Sequence, residues 1–431
     1  MIKLYNASVI THTGACLSHK DIFIQDGRIT AVCDTGTFRP DTAPDDTIDC
    51  SSYYVSPGLV NLHAHTAMNI FKGIAEDVPP EVWFNQMIWP YESKMTGPDI
   101  YTGTVLGIAE MINNGVTAAA DHYFGEEQVL QAAKDTGFRM DIAPTIFGTA
   151  PDFRERLAQV SAFIRDHQQD SSRISLRYGP HSDYTCPEDT LAAIADEAKK
   201  AGLPIHLHLS ETRLQVEQSL QRTGKTPFRC LYDAGGFGLP VLVAHGLWIT
   251  EEDLGYINEN TWFAFCPKTY MRLASGRGGF FEFSDRLQYS FGSDGAASSG
   301  TVSPLEQARL FAMLDKFERD DAYIHPAAEV WQKLMAGHAV FGADTGKVEE
   351  GAVADLVIWD LQTPDTMAHY HPVPAILYGA CSANVRYTMV EGEFLKYDGV
   401  LKMDFAAVVQ EAMHLQKELL ARGKGTAKVY Y

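Results

Sequence analysis

Compact apolar runs alternate with longer amphipathic segments from about residue 58 to residue 344, the pattern left when strands and helices follow one another around a parallel sheet. The runs read as strands over residues 55–62, 117–122, 140–145, 174–178, 204–209, 241–245, 262–265 and 288–293. Eight such strands predict a closed barrel. Between them, residues 101–114 and 189–201 carry apolar side chains at three-to-four spacing with a glycine just beyond the end, which predicts helices. The two ends of the chain read differently. Residues 3–10, 21–25 and 28–33 form short strand patterns with a turn at Asp26-Gly27, and β-rich runs return over 351–359 and 385–393 before an amphipathic helix over 404–421. The expected fold is therefore α/β: a (β/α)8 TIM-like barrel over residues 58–344, inserted into a small β-sandwich domain made of residues 1–57 and 345–431, the latter including the C-terminal helix.

Composition narrows the class. Of 431 residues, 45% are hydrophobic and 21% charged, enough to build a sizeable core and far from a disordered composition. The formal charge of −20 repels phosphate backbones and anionic lipid headgroups, so neither nucleic acid nor a membrane surface is an expected partner. No apolar stretch approaches the roughly 20 residues of a bilayer span. The first residues lack the basic and long apolar runs of a secretory signal, so a cytoplasmic location is expected. Seven scattered cysteines without a C-x-x-C pair predict reduced thiols, with neither a disulfide framework nor a thiolate zinc site.

The chemistry-bearing residues gather at the C-terminal ends of the predicted strands, the edge where barrels of this kind carry their sites. His63 and His65 end the first strand; residues i and i+2 share a face, so both imidazoles can turn toward one ion. Alone, such a pair is more often structural. Three further stations change that: His206-Leu207-His208-Leu209-Ser210-Glu211 on the fifth strand, His245 at the end of the sixth, and Ser293-Asp294-Gly295 at the end of the eighth. They are separated by tens of residues, too far for a local finger and suited to a fold that collects strand ends. Nitrogen and oxygen donors with one position open to water match a catalytic zinc site. His206 and His208 share a face and either can be the ligand; His208 is preferred because it lies nearer the strand end and places Glu211 just beyond it. Glycines beside His245 and Asp294 are expected to keep the approach open.

Together, the runs Pro57-Gly58-Leu59-Val60-Asn61-Leu62-His63-Ala64-His65, His208-Leu209-Ser210-Glu211, His245 and Ser293-Asp294-Gly295-Ala296-Ala297-Ser298 resemble the amidohydrolase superfamily over nearly the whole chain. The most similar branch is that of the deaminases, including those acting on S-adenosylhomocysteine and methylthioadenosine, with the chlorohydrolase-like enzymes of triazines, pterins and oxopurines beside them. The resemblance implies one zinc, or sometimes iron, held by His63, His65, His208 and Asp294. No bridging lysine is implied, because the fourth strand runs into Tyr178-Gly179-Pro180-His181. It further implies proton transfer by Glu211, assistance from His245 and Asp294, and substrate contacts from His181, Trp83 and Glu92, the last two beside a ribose. The implied substrate is a small aminated heterocycle, and the implied assembly a homo-oligomer. A dechlorinase or amide-ring hydrolase using the same centre is the alternative, and a metal-free scaffold a remote one. Two departures stand out: Cys266-Pro267-Lys268-Thr269-Tyr270 replaces the usual Ser-Asn pattern, and the third strand's end lacks the arginine that some relatives use on a carboxylate tail, a place open to Arg154 or Arg156.

Overall fold

The computed structural model describes residues 1–342 and 344–425; the last six residues of the predicted C-terminal unit lie outside them. The chain is mixed α/β with parallel sheets. Strands Leu59–His65, Val116–Tyr123, Arg139–Ile146 and Ile174–Leu176 pair in parallel, as do Ile205–Leu209, Val241–His245, Thr261–Phe265 and Tyr289–Phe291. Parallel bridges Tyr178–Ile205 and Ser182–His208 join the two groups on one side. On the other, Asp294 and Gly295 pair with Ala64 and His65. Nearly every residue of these strands is buried, as near-continuous Val, Ile, Leu and Ala runs require. Among the described residues, no helix is long and apolar enough to cross a membrane, and all seven cysteines are unpaired.

Several predicted runs are divided. The 55–62 run is two strands: Tyr54–Pro57 pairs with Leu356–Trp359 in a nine-stranded sheet built from both chain ends, and Leu59–His65 belongs to the parallel set. The chain crosses between sheets at Gly58, where a Cβ would stand 2.1 Å from Thr117 Oγ1. Only glycine allows that approach. The 288–293 run stops at Phe291, after which Ser293 donates its backbone N–H to the His63 carbonyl at 2.9 Å and the chain changes neighbour. The 174–178 run likewise breaks into Ile174–Leu176 and Gly179–Pro180. The 385–393 run is a hairpin, Val385–Val390 and Glu393–Tyr397, turning at Glu391-Gly392, both of positive φ. In the 351–359 run only Leu356–Trp359 is extended.

The helices lengthen relative to their patterns. The 101–114 helix is Gly97–Asn113, because Thr96 donates its backbone N–H to Asp99 at 2.7 Å and Pro98 sits in the first turn, where its missing N–H costs nothing. The 189–201 helix is Glu188–Ala201 and the C-terminal one Phe405–Gly423, capped by Asp404. Buried ion pairs tie the layers together: Arg139 Nε donates to Asp355 Oδ2 at 2.8 Å, linking a parallel strand to the terminal sheet.

Candidate functional site

His63, His65, His208, His245 and Asp294 converge at the C-terminal ends of their strands, around one point. Their ligand atoms fall into two groups sharing His63: His63, His65 and His208, and His63, His245 and Asp294, each within 4.8 Å. Asp294 Oδ1 lies 3.3 Å from His65 Nε2 and 3.6 Å from His63 Nε2, so the groups merge. Local backbone is bent to achieve this. Ser210, His245 and Asp294 take positive φ of 48°, 71° and 59°, a conformation that non-glycine residues adopt at a cost of about 1–3 kcal/mol and that clusters at functional sites.

The outer partners determine which nitrogen each imidazole offers. His65 Nδ1 donates to the His122 carbonyl at 2.6 Å, and His208 Nδ1 donates to the His181 carbonyl at 2.8 Å. A carbonyl only accepts, so both rings carry a proton on Nδ1, and Nε2 is the nitrogen each has left to offer a cation. Those two Nε2 atoms face each other at 3.3 Å. His63 is wholly buried; its Nδ1 is hydrogen-bonded to His206 Nε2 at 3.0 Å, and its Nε2 has no hydrogen-bond partner. Two Nε2 atoms turned toward each other, an orphaned buried nitrogen and a carboxylate within 4 Å fit a small divalent cation. His206 lies beneath, as the preference for His208 anticipates.

Charge follows burial and neighbours. Burial pushes His63 down to about 3 and holds His208 well below the usual imidazole range, keeping both neutral. Burial also opposes charge on His65, yet the hydrogen bond to Asp294 overcomes it and draws His65 up to about 9. Asp294 is the counterpart: burial resists its ionisation, but the His63 and His65 contacts outweigh that and hold it well below the carboxylate range. A cation entering this set displaces the His65 proton. Asp294 Oδ2 also accepts from Ser298 Oγ at 2.7 Å.

A cavity of about 370 Å3 opens over this cluster. Glu211 and His245 line its floor, His245 Nε2 standing 3.8 Å from Glu211 Oε2. Burial raises the Glu211 carboxyl above its ordinary value, with the neighbouring His245 ring pulling the other way. Opposite them stands an irregular wall. Residues Pro80–Val82, Trp83–Ile88 and Trp89–Glu92 form one continuous coil whose middle is a π-helical turn, a form frequent at functional sites. Trp83 and Glu92 both line the cavity, as does His181, whose Nδ1 is hydrogen-bonded to Thr185 Oγ1 at 2.9 Å. Glu92 is buried, accepts the Tyr123 hydroxyl at 2.7 Å, and is raised in pKa by that burial despite the Tyr123 bond.

His65, His181, His208, His245, Asp294, Glu211, Trp83 and Glu92 therefore border this one space, and His63 joins them through the ligand cluster. Sequence reasoning missed Tyr123, Phe124, Phe147 and Tyr184, which add aromatic walls, and His122, whose ring lies 4.9 Å from that of His208. Tyr123 carried a signal, since it ends a parallel strand on the same edge as His65. One expectation is corrected: Gly246 does not keep an approach open, because its missing Cβ makes room for Phe263, 2.6 Å from where that carbon would sit. The place left open to Arg154 or Arg156 is also unfilled. Arg156 is paired with Glu126 through both terminal nitrogens, at 2.7 and 2.9 Å, and neither arginine lines the cavity.

The chain is similar to known proteins along almost its whole length. The chain is 33% identical over 422 residues to a 5-methylthioadenosine/S-adenosylhomocysteine deaminase of Desulforudis audaxviator, spanning 96% of this chain and 98% of the relative. A 5'-deoxyadenosine deaminase of Methanosarcina mazei is 32% identical over 408 residues, spanning 93% and 95%. A zinc-bound adenosine deaminase of Xanthomonas campestris superposes with a TM-score of 0.91 at 28% identity, over 97% of this chain and 98% of that one. The model of the amidohydrolase family matches residues 54–395, and with these relatives it shows that the chain belongs to that family.

Proposed function

We propose that this chain is a metal-dependent aminohydrolase that replaces the amino group of a purine-like ring with oxygen, releasing ammonia. The observation that carries the reading is the pair of Nε2 atoms, each on a ring held by its Nδ1 proton, facing each other beside Asp294 under a cavity that Glu211 lines. His63, His65, His208 and Asp294 would hold zinc, with iron the other metal suited to such donors. When bound, the metal supplies a water acidified from about 15.7 toward about 7.

The chain's own groups do the rest. Asp294 accepts a proton at its carboxylate. Glu211 delivers its proton to the ring nitrogen beside the amino-bearing carbon and takes one back from the added hydroxyl as that becomes the carbonyl, while Asp294 passes the proton it accepted to the departing nitrogen, which leaves as ammonia, help worth about 10²–10⁴-fold. His245 presents an N–H to the oxygen that adds to that carbon. His181 contacts the ring, Trp83 packs against the ligand, and Glu92 accepts from sugar hydroxyls. Among the described residues no Lys or Arg lines the cavity, which favours a neutral nucleoside over one with an anionic tail.

We also infer that the parallel strands close into a (β/α)8 barrel, supported by the bridges to Ile205 and His208 and by the Asp294 pairing with Ala64, with the sheet of both chain ends as the bracing β-sandwich. The division into 1–57, 58–344 and 345–431 follows from that reading.

Ammonia release from 5'-methylthioadenosine, 5'-deoxyadenosine, adenosine, S-adenosylhomocysteine, a pterin and a chlorotriazine tests the function. Ammonia from the purine nucleosides is expected, with kcat/KM at least about tenfold lower for the carboxylate-bearing substrate, the worth of roughly 1.4 kcal/mol. Chloride or a ring-opened acid, without ammonia from any purine, overturns the deaminase in favour of the alternative hydrolase.

A further inference from the structure

His245 differs from His65 and His208 in what its Nδ1 meets. His65 and His208 turn Nδ1 to backbone carbonyls, whereas His245 Nδ1 lies 3.2 Å from the Tyr270 hydroxyl. That hydroxyl already accepts the backbone N–H of Cys266 at 3.0 Å. A phenol keeps its single proton at neutral pH, and Tyr270 is buried, only 3% exposed, so that proton needs an acceptor inside the protein. The nitrogen at 3.2 Å is the acceptor in place. At the other edge of the ring, Nε2 faces Glu211 Oε2 across 3.8 Å, with no hydrogen bond between them. A hydroxyl donating to Nδ1 selects the tautomer with the proton on Nε2.

We propose that Tyr270 is a positioning residue that locks His245 in its Nε2–H tautomer, making it a proton-presenting group of the site and withholding it from the metal. The same outer-partner logic that frees a lone pair on His65 and His208 removes it from His245, although His63, His245 and Asp294 lie close enough together to form a ligand set. The segment that departs from the family pattern, Cys266-Pro267-Lys268-Thr269-Tyr270, thereby acquires a task. Its Thr269 hydroxyl stands 3.2 Å from Ser298 Oγ, which in turn donates to Asp294, so adjacent residues brace both His245 and Asp294.

The inference rests on the proposed deaminase reading. Wild-type enzyme that turns over no aminopurine sinks that reading, whereas an active wild type unaffected by losing the hydroxyl sinks only the tyrosine. The zinc-loaded full chain, Tyr270→Phe, His245→Ala and the double variant are compared for kcat, KM and zinc per chain. Outer-shell partners of this kind are worth about 10–100-fold. Tyr270→Phe is expected to lower kcat within that range, with KM changed less than about threefold and zinc per chain unchanged, as it is in His245→Ala. The double variant is expected to be no slower than His245→Ala alone, because the tyrosine acts only through that ring. Tyr270→Gln, which restores an N–H donor, is expected to recover part of the loss. If Tyr270→Phe does not fold, Tyr270→Met takes its place in the cycle. Losses that multiply in the double variant, a kcat within twofold of wild type, or zinc lost on removing His245 each overturn the proposal.

Discussion

The two walls of the cavity are built on different principles. On one side, His63, His65, His208, His245 and Asp294 stand at the ends of parallel strands, each held by an outer partner such as the His122 or His181 carbonyl, Tyr270 or Ser298. On the other, Trp83, Phe84, Trp89 and Glu92 ride on a coil with a π-helical turn and meet Phe147, Tyr184 and Tyr123 from separate elements. On the proposed reading the first wall, set on strand ends, supplies proton and metal chemistry, and the second, set on a coil, supplies shape. Such a division lets ligand preference change by altering the coil while the strand ends, and the reaction, stay as they are.

If that division holds, damage to the strand-end wall strikes kcat and damage to the coil strikes KM. The largest effect is expected from Asp294→Ala, which removes the carboxylate 3.3 Å from His65 Nε2. Turnover should fall by at least about 10³-fold, since metal polarisation is worth several kcal/mol, and metal analysis should show zinc per chain reduced. Next comes Glu211→Gln. It keeps the shape of a group outside the ligand cluster, so zinc content and KM should hold while kcat drops about 10²–10⁴-fold. A Glu211→Gln enzyme with normal kcat would place the proton transfer elsewhere and erase the distinction between the walls.

The walls also differ in how far the sequence reveals them. Strand-end residues are legible because each follows its own apolar run: Leu59 to Leu62 leads into His63, and Val241 to Ala244 into His245. The i, i+2 rule then decides which side chains share a face. Where a strand differs from its apolar run, the cause is a neighbour invisible in one dimension. Thr117 forces the crossing at Gly58, and the His63 carbonyl captures Ser293 and splits the last strand. The coil wall is opaque for another reason. Phe147, Tyr184 and Phe124 are aromatic residues of the kind that usually fill cores, and only their convergence from three elements makes them a cavity lining. Trp83 and Glu92 were reachable through family resemblance alone. The partner of Glu92, Tyr123, lies 31 residues away.

Glu92→Gln tests the coil wall by its pH behaviour. A carboxylate accepting two sugar hydroxyls contributes about 1.5–3 kcal/mol per charged hydrogen bond, so KM for nucleosides should rise by about tenfold or more while kcat changes little. Burial raises the Glu92 pKa, so on acidification this group takes up its proton at a higher pH than an ordinary glutamate does. The carboxylate is the binding form, so wild-type KM should climb on the acid side beginning above about 4.3, the ordinary glutamate value. In Glu92→Gln, which never ionises, that acid-side climb should be absent. Steady-state KM across pH with a nucleoside and with its free base separates the cases, because a base without sugar should show neither effect.

The smallest expected effect belongs to Trp83. Its indole Nε1 is buried with no hydrogen-bond partner in the protein, a donor left pointing at nothing the chain supplies. Buried donors are rarely left so, and Trp83 lines the cavity, which makes a ligand oxygen the fitting acceptor. Trp83→Phe keeps an aromatic face and deletes only that N–H. A net hydrogen bond of about 0.5–1.5 kcal/mol predicts a two- to tenfold rise in nucleoside KM with kcat unchanged. If Trp83 and Glu92 grip the same sugar, the double variant should lose less than the product of the two single losses, because a sugar already released from one has less to lose from the other. Losses that multiply would mean the indole and the carboxylate hold different parts of the ligand, and a Trp83→Phe enzyme impaired in kcat would show that the coil wall reaches into the chemistry.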